Sequence, residues 1–403
     1  MRKNIELLAP AGDLERAKIA IRFGADAIYL GGKKYSLRSR ASNFGIEEIK
    51  EVCEYAKEYG SSVHVTVNMI PHQSDFDGFK EYVKELEDAG VTALIVASEA
   101  MIKMIKDVST KLEIHLSTQR TTTNSKAIEY YQRLGVDRVV LARECTIDDV
   151  KDIVNNTSVE LECFIHGGMC SNYSGRCTLS NMMTLRDANR GGCAQSCRWK
   201  YHLYQGDREL SKEDCLFSMS SKDMMALEVI YDLMMLNISS LKIEGRMKSG
   251  YYVASVVSAY RKLIDEIKDS EKALSEERLA YYQKEFQKAE NRPTSIGFYH
   301  GEPKASSHLY GVNGAGVTHL FVGVILNYNK NDQIALIEVR NVIRAEETLE
   351  VFGPNCDNKH FKIEKMFNED LEIIELANQP MRKITCCIPF DVEVGDMIRR
   401  VLK

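Results

Sequence analysis

Eight times between residues 6 and 267 a short apolar run is followed by a break and, in most cases, a longer stretch whose apolar residues recur at helical spacing. The runs begin at Glu6, Ala25, Val63, Ala93, Leu112, Arg138, Glu160 and Ser240. Asp13 is placed to cap the first helical stretch, where Leu14, Ala17, Ala20 and Phe23 share one face, and the last runs from Tyr252 to Ile267. A strand fed by a helix on each side pairs in parallel with its neighbours, and both of its faces are covered. Eight such units are the number that closes a (β/α)8 TIM-like barrel; an open doubly wound sheet is the other solution.

In a barrel, the loops after the carboxyl ends of the strands carry function. The unusual residues of this chain gather at those ends: Gly31-Gly32, Asn68, Ser117-Thr118-Gln119, Arg143-Glu144, His166-Gly167 and Glu244-Gly245-Arg246. The seventh and eighth runs are separated by a long insertion, residues 167–239. It holds Cys170, Cys177, Cys193 and Cys197 at spacing Cys-x6-Cys-x15-Cys-x3-Cys, among glycines, serines and arginines. Thiolates are soft ligands that select iron-sulfur clusters, zinc or copper(I), and four of them complete a site. The paired Cys-x2-Cys units common in zinc ribbons are absent. Ordinary buried thiols account for Cys53, Cys145, Cys163, Cys356, Cys386 and Cys387, whereas Cys215 is a spare ligand candidate.

A charged helical and turn-rich linker is expected over 271–319, between a barrel domain at 1–270 and a final domain at 320–403. The final domain has short apolar runs separated by turn signals such as Asn329-Lys330-Asn331 and Gly353-Pro354-Asn355, the pattern of a small antiparallel β-barrel. With 44% hydrophobic and 28% charged residues the composition is that of a globular protein. No apolar run approaches the roughly 18 residues of a membrane span, and the first residues lack a secretory signal, so a cytoplasmic location without membrane contact is expected. A net charge of -5 supplies no global attraction to nucleic acid, so RNA binding would need a local basic patch.

Several motifs in one order carry a family resemblance. They are Glu6-Leu-Leu-Ala-Pro-Ala-Gly12, His115-Leu-Ser-Thr-Gln119, Phe164-Ile-His-Gly-Gly-Met-Cys170, Cys193-Ala-Gln-Ser-Cys-Arg-Trp199 and Leu241-Lys-Ile-Glu-Gly-Arg-Met247. Together they resemble the collagenase-like unassigned peptidase family, number thirty-two, along nearly the whole chain. Within it the Cys-x3-Cys-Arg-Trp ending is most similar to the branch that makes 5-hydroxyuridine at the wobble position of transfer RNA with prephenate. A branch acting on ubiquinone precursors places one cluster cysteine elsewhere, near where this chain has Ser220 and Ser221. The resemblance implies an iron-sulfur cluster, of the 4Fe-4S type, on Cys170, Cys177, Cys193 and Cys197, with tRNA, prephenate and a redox partner as reactants.

Prephenate is a dicarboxylate, and guanidinium groups bind carboxylates through paired hydrogen bonds. Arg143, Arg176, Arg198 and Arg246 are therefore substrate-binding candidates, with Gln119 beside them. His115 and His166 are candidates for proton transfer, with Glu162 and Glu244 as orienting groups or bases. Arg186, Arg190, Trp199, Lys200, Tyr201 and Lys248 add a basic, aromatic surface for RNA. Two other readings stay open. A collagenase-like peptidase would rest on Cys145, Cys163 or Cys215, since both Gly-x-Ser-x-Gly and His-Glu-x-x-His are missing. A zinc-stapled RNA-binding scaffold would use the four loop thiolates without catalysis.

Overall fold

The computed structural model describes residues 5–37, 42–212, 216–309 and 316–402. Eight parallel strands form the barrel: β1 (Glu6–Pro10), β2 (Ala27–Gly31), β3 (Ser62–Val67), β4 (Ala93–Val96), β5 (Glu113–Leu116), β6 (Arg138–Val140), β7 (Glu160–Gly167) and β8 (Ser240–Ile243). Each pairs with the next, and β8 pairs with both β7 and β1, which closes the sheet. The open-sheet alternative is thereby set aside.

The helices outside pack by their apolar faces: α1 (Leu14–Arg22), α2 (Ile46–Glu58), α3 (Phe79–Asp88), α4 (Glu99–Lys106), α5 (Ser125–Arg133) and α6 (Ile147–Asn155). Their starts follow the capping chemistry of the sequence. The Asp13 side chain accepts from the Arg16 N–H, and Thr146 and Asp149 form a reciprocal capping box. The main apolar core lies between this ring and the strands. Inside the barrel, Leu8, Ala27, Tyr29 and Ile95 form a separate small cluster. The inside is therefore apolar only in part, with charged residues of β1, β6, β7 and β8 around this cluster.

The insertion after β7 contains one short helix, α7 (Leu179–Thr184), and otherwise turns. The chain then returns through Asp223–Met225, which pairs antiparallel with the end of β7, and α8 (Ile230–Met235) leads into β8. The long helix α9 (Gly250–Ser270) and α10 (Glu276–Gln287) follow. The stretch read as a linker thus contributes α10, whose Tyr282 and Phe286 are buried in the barrel's core, and Thr294–Ser295, which pairs with Asp223–Met224.

The C-terminal strands are β9 (His319–Asn329), β10 (Ile334–Val339), β11 (Thr348–Phe352), β12 (Lys359–Lys362), β13 (Lys383–Cys387) and β14 (Met397–Val401). They form one antiparallel sheet in the order β12-β11-β14-β9-β10-β13, extended by two short strands, around an apolar cluster of their own. Among the described residues its two edges do not pair with each other, so the expected small barrel is an antiparallel sheet enclosing its core without hydrogen-bonded closure. No helix among the described residues is long and apolar enough to cross a membrane.

Candidate functional site

The insertion is tied down over the carboxyl ends of the strands by backbone-directed bonds. Arg198 donates to the carbonyls of Met169 and Ser221, each at 2.6 Å, and to the Ser220 hydroxyl at 3.0 Å. Arg292 reaches the same two serines at 2.8 and 2.7 Å, and the Ser221 hydroxyl donates to the Met169 carbonyl. On the opposite side the Glu144 carboxylate accepts from the Ser174 N–H at 2.8 Å and its hydroxyl at 2.9 Å. Arg190 bonds Asp75 and the Ile70 carbonyl, both at 2.6 Å. Gly175 lies against the Gln119 carbonyl so closely that a Cβ would stand 1.9 Å from its oxygen.

Seated this way, the loop brings Cys170, Cys177, Cys193 and Cys197 onto one cavity of about 140 Å³. The same cavity is lined from within the barrel by Tyr29, Thr66, Phe164, Lys242, Arg143, Glu244 and Arg246, with Gln119 at its wall. A wider cavity of about 540 Å³ adjoins it and shares Cys170, Cys193, Cys197 and Glu244, adding Asp223, Lys248 and Arg292. The four thiols are free of disulfides. No group of three His, Cys, Asp or Glu side chains among the described residues is gathered for a single metal ion. The sulfurs do have donors aimed at them: the Gln195 N–H lies 3.4 Å from the Cys193 sulfur and the Asn172 amide 3.3 Å from that of Cys177. In residue type, four free thiols with hydrogen-bond donors on two of them suit such a cluster, whose binding would have to draw the sulfurs together.

The other candidates separate by position. Arg143 stacks on the Phe164 ring at 3.9 Å, with Glu244 at 3.8 Å, and Tyr29 donates its hydroxyl to Glu244 at 3.3 Å. Arg246 is buried and bonded to Ser36 at 2.9 Å and Asn43 at 2.8 Å. These residues and Gln119 meet at the cavity. Arg198 lines the outer cavity but is committed to the loop, and Arg176 is exposed, with its Nε on Thr121 at 3.2 Å. His166 turns away from the cavity: its ring bonds Tyr260 at 3.1 Å, lies 2.7 Å from Glu290 and packs on Phe286 outside the strands. His115 and Glu162 lie inside the barrel but on its floor, His115 against His64 and Glu162 against Lys242. Burial pushes the Glu162 carboxyl up, but Lys242 and Arg138 outweigh it and hold it below the usual carboxylate range. Lys242 was not singled out from sequence; the available signal was a lysine two positions before Glu244, on the same strand face.

Around the loop, Trp199 is 43% exposed and 6.5 Å from the Tyr201 ring, with exposed Lys200 between them in sequence. Tyr173, Met182, Leu185 and Tyr204 are exposed nearby in the same insertion. Arg186 is held to the Cys193 carbonyl at 3.2 Å, and Lys248 lies over the Tyr252 ring. Away from the loop, burial pushes the Cys145 thiol up to about 12 and raises that of Cys163 as well. Cys215 lies outside the described residues.

Residues 12–309 match the model of Peptidase family U32, and residues 317–399 that of the Peptidase family U32 C-terminal domain. The chain is 42% identical to tRNA hydroxylation protein P1 of Bacillus subtilis, over 99% of this chain and 95% of that protein. It is 29% identical to tRNA hydroxylation protein P of Escherichia coli, over 97% and 95%. A protein of Porphyromonas gingivalis named Collagenase is also 29% identical, over 94% of each chain.

Proposed function

The chain belongs to peptidase family U32, and from that membership we propose that it is an RNA-hydroxylating enzyme acting on transfer RNA. The finer reading is conversion of the wobble uridine to 5-hydroxyuridine, with prephenate as co-substrate and a 4Fe-4S cluster on Cys170, Cys177, Cys193 and Cys197. The observation that carries it is the single cavity on which all four thiols face Arg143, Glu244 and Arg246. The names of the two bacterial tRNA hydroxylation proteins support RNA as the substrate.

When bound, the cluster supplies one-electron transfer at the mouth of the barrel. The chain's own groups bind and orient. Arg143, fixed by stacking on Phe164, and Arg246, fixed by Ser36 and Asn43, present guanidinium charge to an anionic reactant. Glu244 Oε2, held by Tyr29, is the carboxylate placed to accept a proton there. Lys248, at the wider cavity, faces the approaching nucleic acid, and Trp199 and Tyr201 offer ring faces to unstacked bases.

A peptidase needs an activated nucleophile. Cys145 and Cys163 are buried with raised thiol pKa values, the opposite of activation. The test is metal and sulfide analysis of anaerobically purified protein beside Cys193→Ala, with nucleoside mass spectrometry of tRNA from a deletion strain carrying either gene. About four irons and four sulfides per chain, lost in the variant together with 5-hydroxyuridine, is the expected result. Zinc without iron, or unchanged tRNA, overturns it in favour of the scaffold or the peptidase.

A further inference from the structure

Leu185 stands where backbone sterics favour a glycine. It ends α7 in the left-handed region, with φ 56° and ψ 23°, and its N–H donates to the Asn181 carbonyl at 3.0 Å. Helices that close this way usually place glycine there, because a Cβ crowds the following carbonyl oxygen. The Leu185 side chain is 95% exposed, so almost no apolar burial offsets that strain. Met182, one turn earlier, is 80% exposed. Folding makes no use of this apolar tip, and strain kept at an exposed residue points to binding.

The tip is held stiffly beside the cysteines. At the start of α7 the Ser180 hydroxyl accepts from the Ala194 N–H at 2.9 Å and donates to the Gly192 carbonyl at 3.4 Å. At its end Arg186, the residue after Leu185, reaches the Cys193 carbonyl at 3.2 Å, and the Asn181 side chain accepts from the Ala188 N–H at 3.2 Å. Both ends of the helix are thereby pinned to the segment around Cys193, a residue that lines both cavities. Leu185 is a rigid spur at the rim of the site.

The surroundings select the partner. Residues 170–212 carry seven Lys and Arg against three Asp and Glu, in a chain whose net charge is -5. Cations alternate with the exposed apolar residues: Arg186 follows Leu185, and Lys200 follows Trp199. The core of a protein interface is depleted of charge; a polyanion built of stacked rings fits this mixture. A base that enters a pocket in an enzyme must leave its stack, and the gap exposes the faces of its neighbours. Leucine and methionine are among the side chains that proteins insert between base steps, where they cover ring faces without needing a hydrogen bond.

We propose that Leu185, with Met182 beside it, is a wedge that enters the base stack of the RNA loop and fills the gap left by the extruded base. Leu185 is thus a positioning residue: it acts on the reaction by keeping the base out of its stack at the rim of the cavity. The proposal rests on the preceding reading in taking RNA as the substrate.

The test is titration of an anticodon stem-loop RNA, carrying 2-aminopurine immediately 3′ of the wobble uridine, with the anaerobically purified full chain. 2-Aminopurine brightens when it loses a stacked base, and an aliphatic side chain in the gap does not quench it. The wild type is expected to raise the emission severalfold. In Leu185→Gly and Leu185→Asn, whose new residues tolerate this backbone, the rise should be largely lost and 5-hydroxyuridine formation should fall with it, whereas Leu185→Met keeps most of both. Urea midpoints of the Gly and Asn variants at or above wild type are expected, since the strain is relieved. No rise with the wild type overturns the proposal, and an equal rise in both variants does so in favour of a protein partner at the tip. Midpoints lowered in both variants would assign Leu185 to folding and overturn it as well. A Leu185-dependent rise without hydroxylated product strikes the preceding reading alone.

Discussion

Arg138 holds the charge balance of the barrel floor. Its guanidinium lies 2.6 Å from Glu6, 2.9 Å from Glu160 and 3.6 Å from Glu162, with its side chain 8% exposed. Burial raises the Glu6 carboxyl even with this partner present, and His64 nearby is held well below its usual range by burial and the surrounding positive charge. The floor therefore contains carboxylates whose main positive partners among the described residues are Arg138 and Lys242. Removing one partner of a buried ion pair leaves a charge in a low dielectric and costs about 3–5 kcal/mol. Arg138→Met is expected to lower stability by that amount, read as a fall in the urea midpoint. Because Arg138 does not line the cavity, the folded fraction should keep wild-type iron content. A variant as stable as the wild type would show that the carboxylates find protons or water instead.

Among the elements, β7 decides which side chains reach the cavity. Its register with β8 steps from Lys242↔Phe164 to Ile243↔His166, so Ile165 is an extra residue. Up to that point alternate residues of β7 face inward, as Glu162 and Phe164 do; beyond it the phase is inverted and His166 joins Tyr260 and Glu290 outside. This marks the limit of what the sequence made legible. The eight strands were readable because buried parallel strands are short apolar runs closed by polar or glycine breaks, and Glu244, Arg143 and Arg246 were readable as charges just past those runs. A single-residue bulge inside Cys163-Phe164-Ile165-His166 leaves no mark on composition or period, so His166 read as an inward residue. Lys242 was passed over because one lysine in an apolar run carries no sign of what it faces. The seating of the cysteine loop depends on Gly175, which has φ of 72° and no space for a Cβ against Gln119. Gly175→Ala adds at least about 1–2 kcal/mol of backbone strain to the seated loop, before the clash. It is expected to lower retained iron per chain severalfold while the urea midpoint of the barrel stays near wild type; full iron retention would mean that the loop seats without this contact.

At the scale of the whole molecule, the C-terminal sheet is fastened to the barrel and not merely appended to it. Phe352 and Met397 join the barrel's own core, Phe321 stacks on Tyr251 at 5.4 Å, and Arg22 of α1 bonds Asp396 at 2.6 Å. His319, the first residue of β9, is buried at this junction beside Arg399 and Lys288, with Glu350 and Glu285 on the acidic side. Burial, reinforced by the two cations, lowers its pKa to about 4, so the folded protein holds it neutral. In the unfolded chain it titrates near its ordinary value of about 6.5. As pH falls below about 6.5 the unfolded state takes up a proton that the folded state refuses, so stability declines until about pH 4, where both forms are protonated. From about pH 7 to about pH 5 this one group removes roughly 2 kcal/mol. Glu350, held below its usual range by Arg399 and Lys288, adds to the decline, whereas Asp396, raised by burial, opposes it. The contribution of His319 is therefore isolated by difference, from urea denaturation of the wild type and His319→Gln at both pH values. The variant should lose about 2 kcal/mol less than the wild type on acidification. Equal losses in the two proteins would place a proton on His319 in the folded state and dissolve the case for an acid-sensitive junction.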